Sequence, residues 1–133
     1  MSEIIVLDTH IWPWLINGNF DKFPAHWQDL LESAERLGIS PVSCYEIAMA
    51  CQKGRIEFPT TPQEWFRKAL APAGIELFPL TETIATRAVE LSPIHKDPFD
   101  RLIIATAIEY KAKLASVDVL FPLYPELENY LLK

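Results

Sequence analysis

Ile4-Ile5-Val6-Leu7-Asp8-Thr9 opens the chain with a continuous aliphatic run closed by an acid. A run that is apolar at every position and rich in β-branched residues reads as a parallel strand buried on both faces. Leu114-Ala115-Ser116-Val117-Asp118 repeats the pattern near the other end of the sequence. In open parallel sheets, ligands bind beyond the carboxyl ends of the strands, so Asp8 and Asp118 are expected to face one crevice.

Working outward from these runs, the chain alternates strand and helix signals. The first strand covers Glu3 to Leu7, and a short helix follows from His10 to Ile16, ended by the turn residues Asn17-Gly18-Asn19. Pro24 opens an amphipathic helix through Leu37, with Trp27, Leu30, Leu31 and Ala34 on one face and Gly38 as its stop. A strand is expected from Ile39 to Val42, then a helix from Cys44 to Lys53 that Gly54 terminates. Thr61-Pro62-Gln63-Glu64 is a capping box with proline at the first helical position, announcing a helix to Ala71. Ile75 to Phe78 reads as a strand, Thr81 to Leu91 and Pro98 to Lys111 as helices, and Leu114 to Val117 as the last strand. The tail with Tyr130, Leu131 and Leu132 is expected to dock as a short helix. Alternation of this kind implies an α/β fold, a three-layer α/β/α sandwich around a central parallel sheet, with residues 1–133 as one domain.

Bulk composition agrees with a packed domain. The 133 residues are 50% hydrophobic and 23% charged, and no apolar stretch approaches the roughly 20 residues needed to span a bilayer. Met1-Ser2-Glu3 carries no basic leader region, so a cytoplasmic protein without a secretory signal is expected. Cys44 and Cys51 fall on one expected helix about 10 Å apart, beyond disulfide reach, and read as reduced buried thiols. The net charge of −6 argues against a generic polyanion binder, whose affinity comes from Lys and Arg contacts to phosphate. Bound divalent cations would invert that field locally.

Four acids stand out: Asp8, Glu46, Asp100 and Asp118. Each has a structural alternative. Asp8 could cap the following helix, although Thr9 could cap as well and leave the carboxylate free. Ser43-Cys44-Tyr45-Glu46 is itself a capping box, yet Glu46 is the only charged residue from Ile39 to Cys51, where burying a carboxylate is expensive without compensation. In Asp97-Pro98-Phe99-Asp100, Asp97 is placed to cap and Asp100 falls in the first turn, where the helix dipole favours an anion. Asp118 could serve a turn, with Ser116 alternating to its side and available to hydrogen-bond a coordinated water. Taken together, four carboxylates brought within a few ångströms repel each other unless neutralised. Oxygen-only ligation suits Mg²⁺ or Mn²⁺, and such a site supports metal-assisted phosphodiester hydrolysis.

Ile4-Ile5-Val6-Leu7-Asp8-Thr9, Ser43-Cys44-Tyr45-Glu46-Ile47, Asp97-Pro98-Phe99-Asp100-Arg101-Leu102-Ile103-Ile104-Ala105 and Ser116-Val117-Asp118 resemble, in order, the motifs of the PIN domain family. The stretch His95 to Arg101 further resembles its VapC-type toxin branch. The resemblance covers most of the chain. It implies a Mg²⁺- or Mn²⁺-dependent endoribonuclease with Asp8, Glu46, Asp100 and Asp118 as the catalytic and metal-binding quartet. Thr9 and Ser116 would give hydroxyl support. It also implies a toxin, commonly a homodimer, acting on RNA and silenced by a small antitoxin whose tail fills a groove leading to the site. Ser116 stands where the family usually has threonine, keeping a hydroxyl.

The remaining candidates have weaker roles. Arg101 is expected to pair with a neighbouring acid, with contact to the scissile phosphate as the alternative. His95 and Lys96 could meet phosphate or lie in a solvated loop. Trp12 and Trp14 are expected in the core, and His10 in a surface or supporting position. Two other readings separate by experiment. A catalytically degenerate PIN-like binding module would bind no metal. A Mg²⁺-dependent phosphoryl-transfer domain would need an acid two residues beyond Asp8, where His10 stands, or a lysine after the last strand, where none lies between Asp118 and Tyr130.

Overall fold

The computed structural model describes residues 3–133; the Met1-Ser2 start read above for a leader lies outside them. The described elements run β1 (Ile4–Leu7), α1 (Ile11–Ile16), α2 (Trp27–Glu32), β2 (Arg36–Ile39), α3 (Pro41–Gln52), α4 (Pro62–Ala69), β3 (Glu76–Leu77), α5 (Glu82–Glu90), α6 (Pro98–Glu109) and β4 (Lys113–Ala115), with single helical turns between some of them. The four strands are parallel, in the order β3-β2-β1-β4.

Both faces of the sheet are covered because both sides of β1 are apolar. Ile5 and Leu7 pack with Trp12, Trp27, Ile47 and Trp65 on one side, and Val6 packs with Phe78, Ile103, Ile104 and Phe121 on the other. This is the three-layer α/β/α arrangement expected from the alternation. β1, β2 and β3 are laid down outward in one direction, and the chain then returns through α5 and α6 to place β4 on the opposite side of β1. The order therefore reverses between β1 and β4, which opens a crevice beyond their carboxyl ends.

Three local expectations are corrected. The helix expected from Pro24 to Leu37 stops at Glu32, where the Ser33 N–H closes on Asp29 O. Its last apolar positions instead enter β2, where Ile5 pairs with Leu37 and Val6 with Gly38. Sheet pairing outweighs a helical periodicity that happened to continue. The strand expected at Ile39 to Val42 thus lies earlier, and Ser40, Pro41 and Val42 start α3: the Ser40 hydroxyl accepts from the Val42 N–H, and Pro41 takes the first helical position. The tail does not form the expected short helix. Leu131 bridges Leu114 in parallel, with the Leu114 N–H donating to Tyr130 O at 2.6 Å and the Leu132 N–H to Leu114 O at 2.9 Å, so extended chain covers part of the open β4 edge.

Gly38 is consequently no helix stop. A Cβ there would lie 2.7 Å from the ring of Phe78, which is fully buried and stacked on Tyr110. Gly38→Ala is expected to cost about 1–3 kcal/mol, as overpacking in a closed core does, measured as a lowered urea midpoint with an unchanged slope. Cys44 and Cys51 are free, as expected, but half-buried rather than buried, and desolvation pushes both thiols up. Among the described residues no helix is long and apolar enough to cross a membrane.

Candidate metal centre

Asp8 follows directly from β1, and its own N–H donates to Ala115 O at 2.9 Å, so the β1–β4 register fixes it. The capping alternative is not used: α1 has His10 at its N-cap with no side-chain bond. The Asp8 carboxylate instead accepts from the Thr9 N–H on Oδ1 at 2.8 Å and from the Ser116 hydroxyl on Oδ2 at 2.7 Å. Ser116 is thereby committed to an acid rather than to a coordinated water, and it also accepts the Asp118 N–H at 3.1 Å. Burial, with the Asp118 charge adding to it, pushes the Asp8 carboxyl up against those two bonds and the nearby His10.

Glu46 lies on α3, and the Ser43 capping box does not form. Ser40 caps that helix, three residues earlier than the box requires, leaving Ser43 buried in the first turn. The Thr9 hydroxyl donates to Glu46 Oε1 at 2.6 Å and lies 2.9 Å from Ser43 Oγ. With the Thr9 proton used on Glu46, Ser43 is the donor of that second bond. Ser43, Thr9 and Glu46 therefore form one chain, and sequence reasoning missed Ser43 by assigning it to the cap. Burial raises the Glu46 carboxyl, and the charges of Asp8 and Asp97 add to this despite the Thr9 bond.

Asp97 caps α6 as expected, accepting the Phe99 N–H at 2.9 Å, with Pro98 next. That anchors Asp100 in the first turn. Its carboxyl is pushed up to about 6, by burial first and then by the Asp8 charge, with smaller like-charge contributions from Asp97 and Glu46 and an opposing one from His95.

Asp118 accepts the Leu120 N–H on Oδ1 at 2.9 Å, the turn role weighed in the sequence, and meets His95 Nε2 with Oδ2 at 3.0 Å. The His95 side chain is only 7% exposed, so it belongs to the site and not to a solvated loop. No signal local to its own segment points there, since its partners Asp118 and Tyr124 lie 23 and 29 residues away. Arg101 corrects another expectation. Its guanidinium donates to the backbone oxygens of Val89, Leu91, Ser92 and His95, clamping the loop before α6 rather than pairing with an acid or facing the cleft.

One cleft of about 390 Å³ gathers Asp8, Glu46, Asp97, Asp100 and Asp118 with Thr9, and among the described residues no lysine or arginine lines it. Potential ligand atoms of His95, Asp100 and Asp118 lie within 4.8 Å of one another. The donor set fits a hard divalent cation. Carboxylate oxygens predominate, three of the carboxyls are raised because their charges are buried near each other, and a +2 ion would remove that cost.

The PIN domain family profile matches residues 5–127. Over 115 residues the chain is 28% identical to ribonuclease VapC22 of Mycobacterium tuberculosis, covering 86% of each chain. Among solved structures it is similar to a chain of VapBC2 from Rickettsia felis bound to a promoter DNA fragment, with a TM-score of 0.68, 20% identity and coverage of 93% of this chain and 95% of that one. A toxin-antitoxin complex from Klebsiella pneumoniae has a chain that aligns with a TM-score of 0.53 at 20% identity, over 84% of both chains.

Proposed function

Because the chain belongs to the PIN domain family, we propose that it is a Mg²⁺- or Mn²⁺-dependent endoribonuclease and the toxin of a toxin-antitoxin pair. The observation that carries this is the convergence of Asp8, Glu46, Asp100 and Asp118, from the end of β1, the turn after β4 and two helices, on one cleft. The similarity to a relative named as a ribonuclease and to toxin-antitoxin complexes supports the choice of substrate and partner.

In this reading the four acids would hold the cation. When bound, it supplies Lewis-acid polarisation of the scissile phosphate and acidifies the attacking water. Thr9 fixes Glu46 through Oε1, which leaves Oε2 to accept a hydrogen from that water and orient it. Ser116 ties the Asp8 carboxylate to the Asp118 backbone, donating to Asp8 Oδ2 and accepting the Asp118 N–H. A second cleft of about 510 Å³ shares Thr9, His10 and Glu46 and extends past Trp14, Arg55 and Phe58, giving an RNA strand or an antitoxin tail a path to the acids. A cytoplasmic homodimer completes the proposal, with exposed Val119 and Leu123 as apolar side chains available for pairing.

The test is cleavage of single-stranded RNA by the purified chain freed of any partner. Cutting with Mg²⁺ or Mn²⁺, abolished by EDTA and absent on DNA of the same sequence, is expected. Intact partner binding with neither cleavage nor Mg²⁺ or Mn²⁺ binding would instead establish the degenerate binding module.

The raised carboxyls give a pH dependence with a definite sign. Between the ordinary Asp value of 3.8 and about 6, folded Asp100 holds a proton that the unfolded chain has released. Its contribution to metal-free stability is therefore full below 3.8 and is lost as pH rises through about 6. Metal binding requires the carboxylate, so the cation's stabilisation runs the other way. The rise in melting temperature caused by Mg²⁺ is expected to be small at about pH 5 and full by about pH 7.5. Equal rises at both would contradict the coupling.

A further inference from the structure

The acids of the cleft are held by two sets of donors. Thr9 and Ser116 hydroxyls serve Glu46 and Asp8, and the imidazole of His95 faces the other pair, with Nε2 3.0 Å from Asp118 Oδ2 and 3.8 Å from Asp100 Oδ2. We propose that His95 is a positioning residue for Asp118 and Asp100, held in that role by Tyr124.

Several independent contacts fix the ring. It stacks on Tyr124 with centroids 5.5 Å apart and planes at 12°, and takes the edge of Phe121 at 5.1 Å and 82°. Tyr124 and Phe121 are fully buried, so the ring is clamped by core and not by solvent-facing side chains. The backbone of His95 is tied as well: its N–H donates to the Tyr124 hydroxyl at 2.9 Å and its carbonyl accepts from Arg101.

Hydrogen-bond accounting then sets the tautomer. The Tyr124 oxygen accepts from the His95 backbone, and among the described residues its own O–H has one acceptor in reach, Nδ1 2.9 Å away, at which it is directed. Nδ1 is thereby the acceptor, and Nε2 carries the hydrogen that Asp118 Oδ2 accepts. Asp118 has its other oxygen fixed by the Leu120 N–H, and each oxygen keeps a lone pair for the cleft. The arrangement matches the general way in which outer hydrogen bonds orient carboxylate ligands. His95 is close enough to Asp100 and Asp118 to be a ligand itself, but Mg²⁺ and Mn²⁺ favour oxygen donors and Nε2 is already spent as a donor.

The inference rests on the metal-centre reading above, and the test keeps the two separable. With ¹⁵N-labelled histidine at fixed neutral pH, the metal-free chain is expected to show the Nε2–H tautomer of His95, with that N–H persisting when Mg²⁺ is added. Tyr124→Phe keeps the ring stack and removes only the hydroxyl. Tyr124→Phe and His95→Ala are expected to weaken Mn²⁺ binding by calorimetry about tenfold to a hundredfold, with kcat on RNA falling and KM little changed. His95→Gln, whose amide reaches the ε position, is expected to recover part of the loss. An Nδ1–H tautomer, loss of the Nε2–H signal on Mg²⁺ addition, or wild-type Mn²⁺ affinity in Tyr124→Phe would each overturn the proposal. If His95→Ala fails to fold, the tautomer and Tyr124→Phe decide. Failure of the wild-type chain to bind Mn²⁺ would instead overturn the metal-centre reading, and the metal-free tautomer would still report on His95.

Discussion

Asp8→Asn is expected to lower RNA cleavage about a thousandfold or more, equivalent to about 4 kcal/mol of transition-state stabilisation, while leaving the fold intact. Asp8 sits at the point where β1 and β4 meet, accepts one bond on each oxygen and is 9% exposed. The asparagine preserves that shape, so Oδ1 still accepts from the Thr9 N–H. What disappears is a full charge beside Asp100 and Asp118, the largest like-charge contribution raising Asp100, together with the Oδ2 acceptor of the Ser116 hydroxyl, which has to turn and accept from the new amide. Relief of a buried repulsion offsets the loss of that bond, so the metal-free variant is expected to be close to the wild type in stability. The signature to look for is therefore a pair of results: melting temperature held without metal, and cleavage lost with it. A variant that cuts RNA normally would remove Asp8 from the site, and one that unfolds would mean its role is structural.

Trp12→Ala is expected to cost about 3–5 kcal/mol, a large share of the roughly 5–15 kcal/mol margin of an ordinary domain. Trp12 is completely buried, lies 4.9 Å from Trp65 and stacks on Phe66 at 5.6 Å and 12°, and its Nε1–H donates to Ala69 O at 2.9 Å. These contacts join α1 to α4. Truncation leaves a cavity and an unpaired buried carbonyl, and α1 is the element that follows Asp8 and Thr9 into the cleft wall. Trp12→Phe keeps a ring and loses only the N–H bond, so it is expected to cost about 1 kcal/mol beyond its smaller volume. Urea unfolding checks both; an alanine variant within about 1 kcal/mol of wild type would contradict the packing argument.

The features legible in the sequence are those whose causes are local. An unbroken aliphatic run closed by an acid marks β1 with Asp8. Asp97-Pro98 marks the start of α6 and hence the place of Asp100, because a cap and a proline at the first helical position determine each other over two residues. The alternation of elements then yields the layers, since a strand apolar at every position has to be covered on both faces. The misreadings came where two local rules compete for the same residues. Leu37 and Gly38 satisfy a helix end as well as a strand, and only pairing with Ile5 and Val6 decides between them. Ser43 and Glu46 satisfy a capping box, and the choice falls to Ser40 and Pro41 just upstream. His95 was illegible for another reason, since its role comes from Tyr124 and Asp118, which reach it only through the packing of the chain after β4.

The capping and turn roles that made each acid ambiguous bear on the site in different ways. Asp118 does serve a turn, accepting the Leu120 N–H, and still lines the cleft. Asp97 takes the cap of α6, which frees Asp100. Asp8 and Glu46 carry no capping bond at all, and their partners are the hydroxyls of Ser116 and Thr9. The end of β1, the turn after β4, the second turn of α3 and the first turn of α6 supply the backbone, and hydroxyl and imidazole donors aim the carboxylates.

The most direct measurement is a calorimetric Mn²⁺ titration of the wild-type chain beside Asp8→Asn, Glu46→Gln, Asp100→Asn and Asp118→Asn. A single shared site predicts Mn²⁺ binding by the wild type and weakened or lost binding in each of the four folded variants. No binding by the folded wild type at millimolar Mn²⁺, or undiminished binding in all four variants, would contradict it.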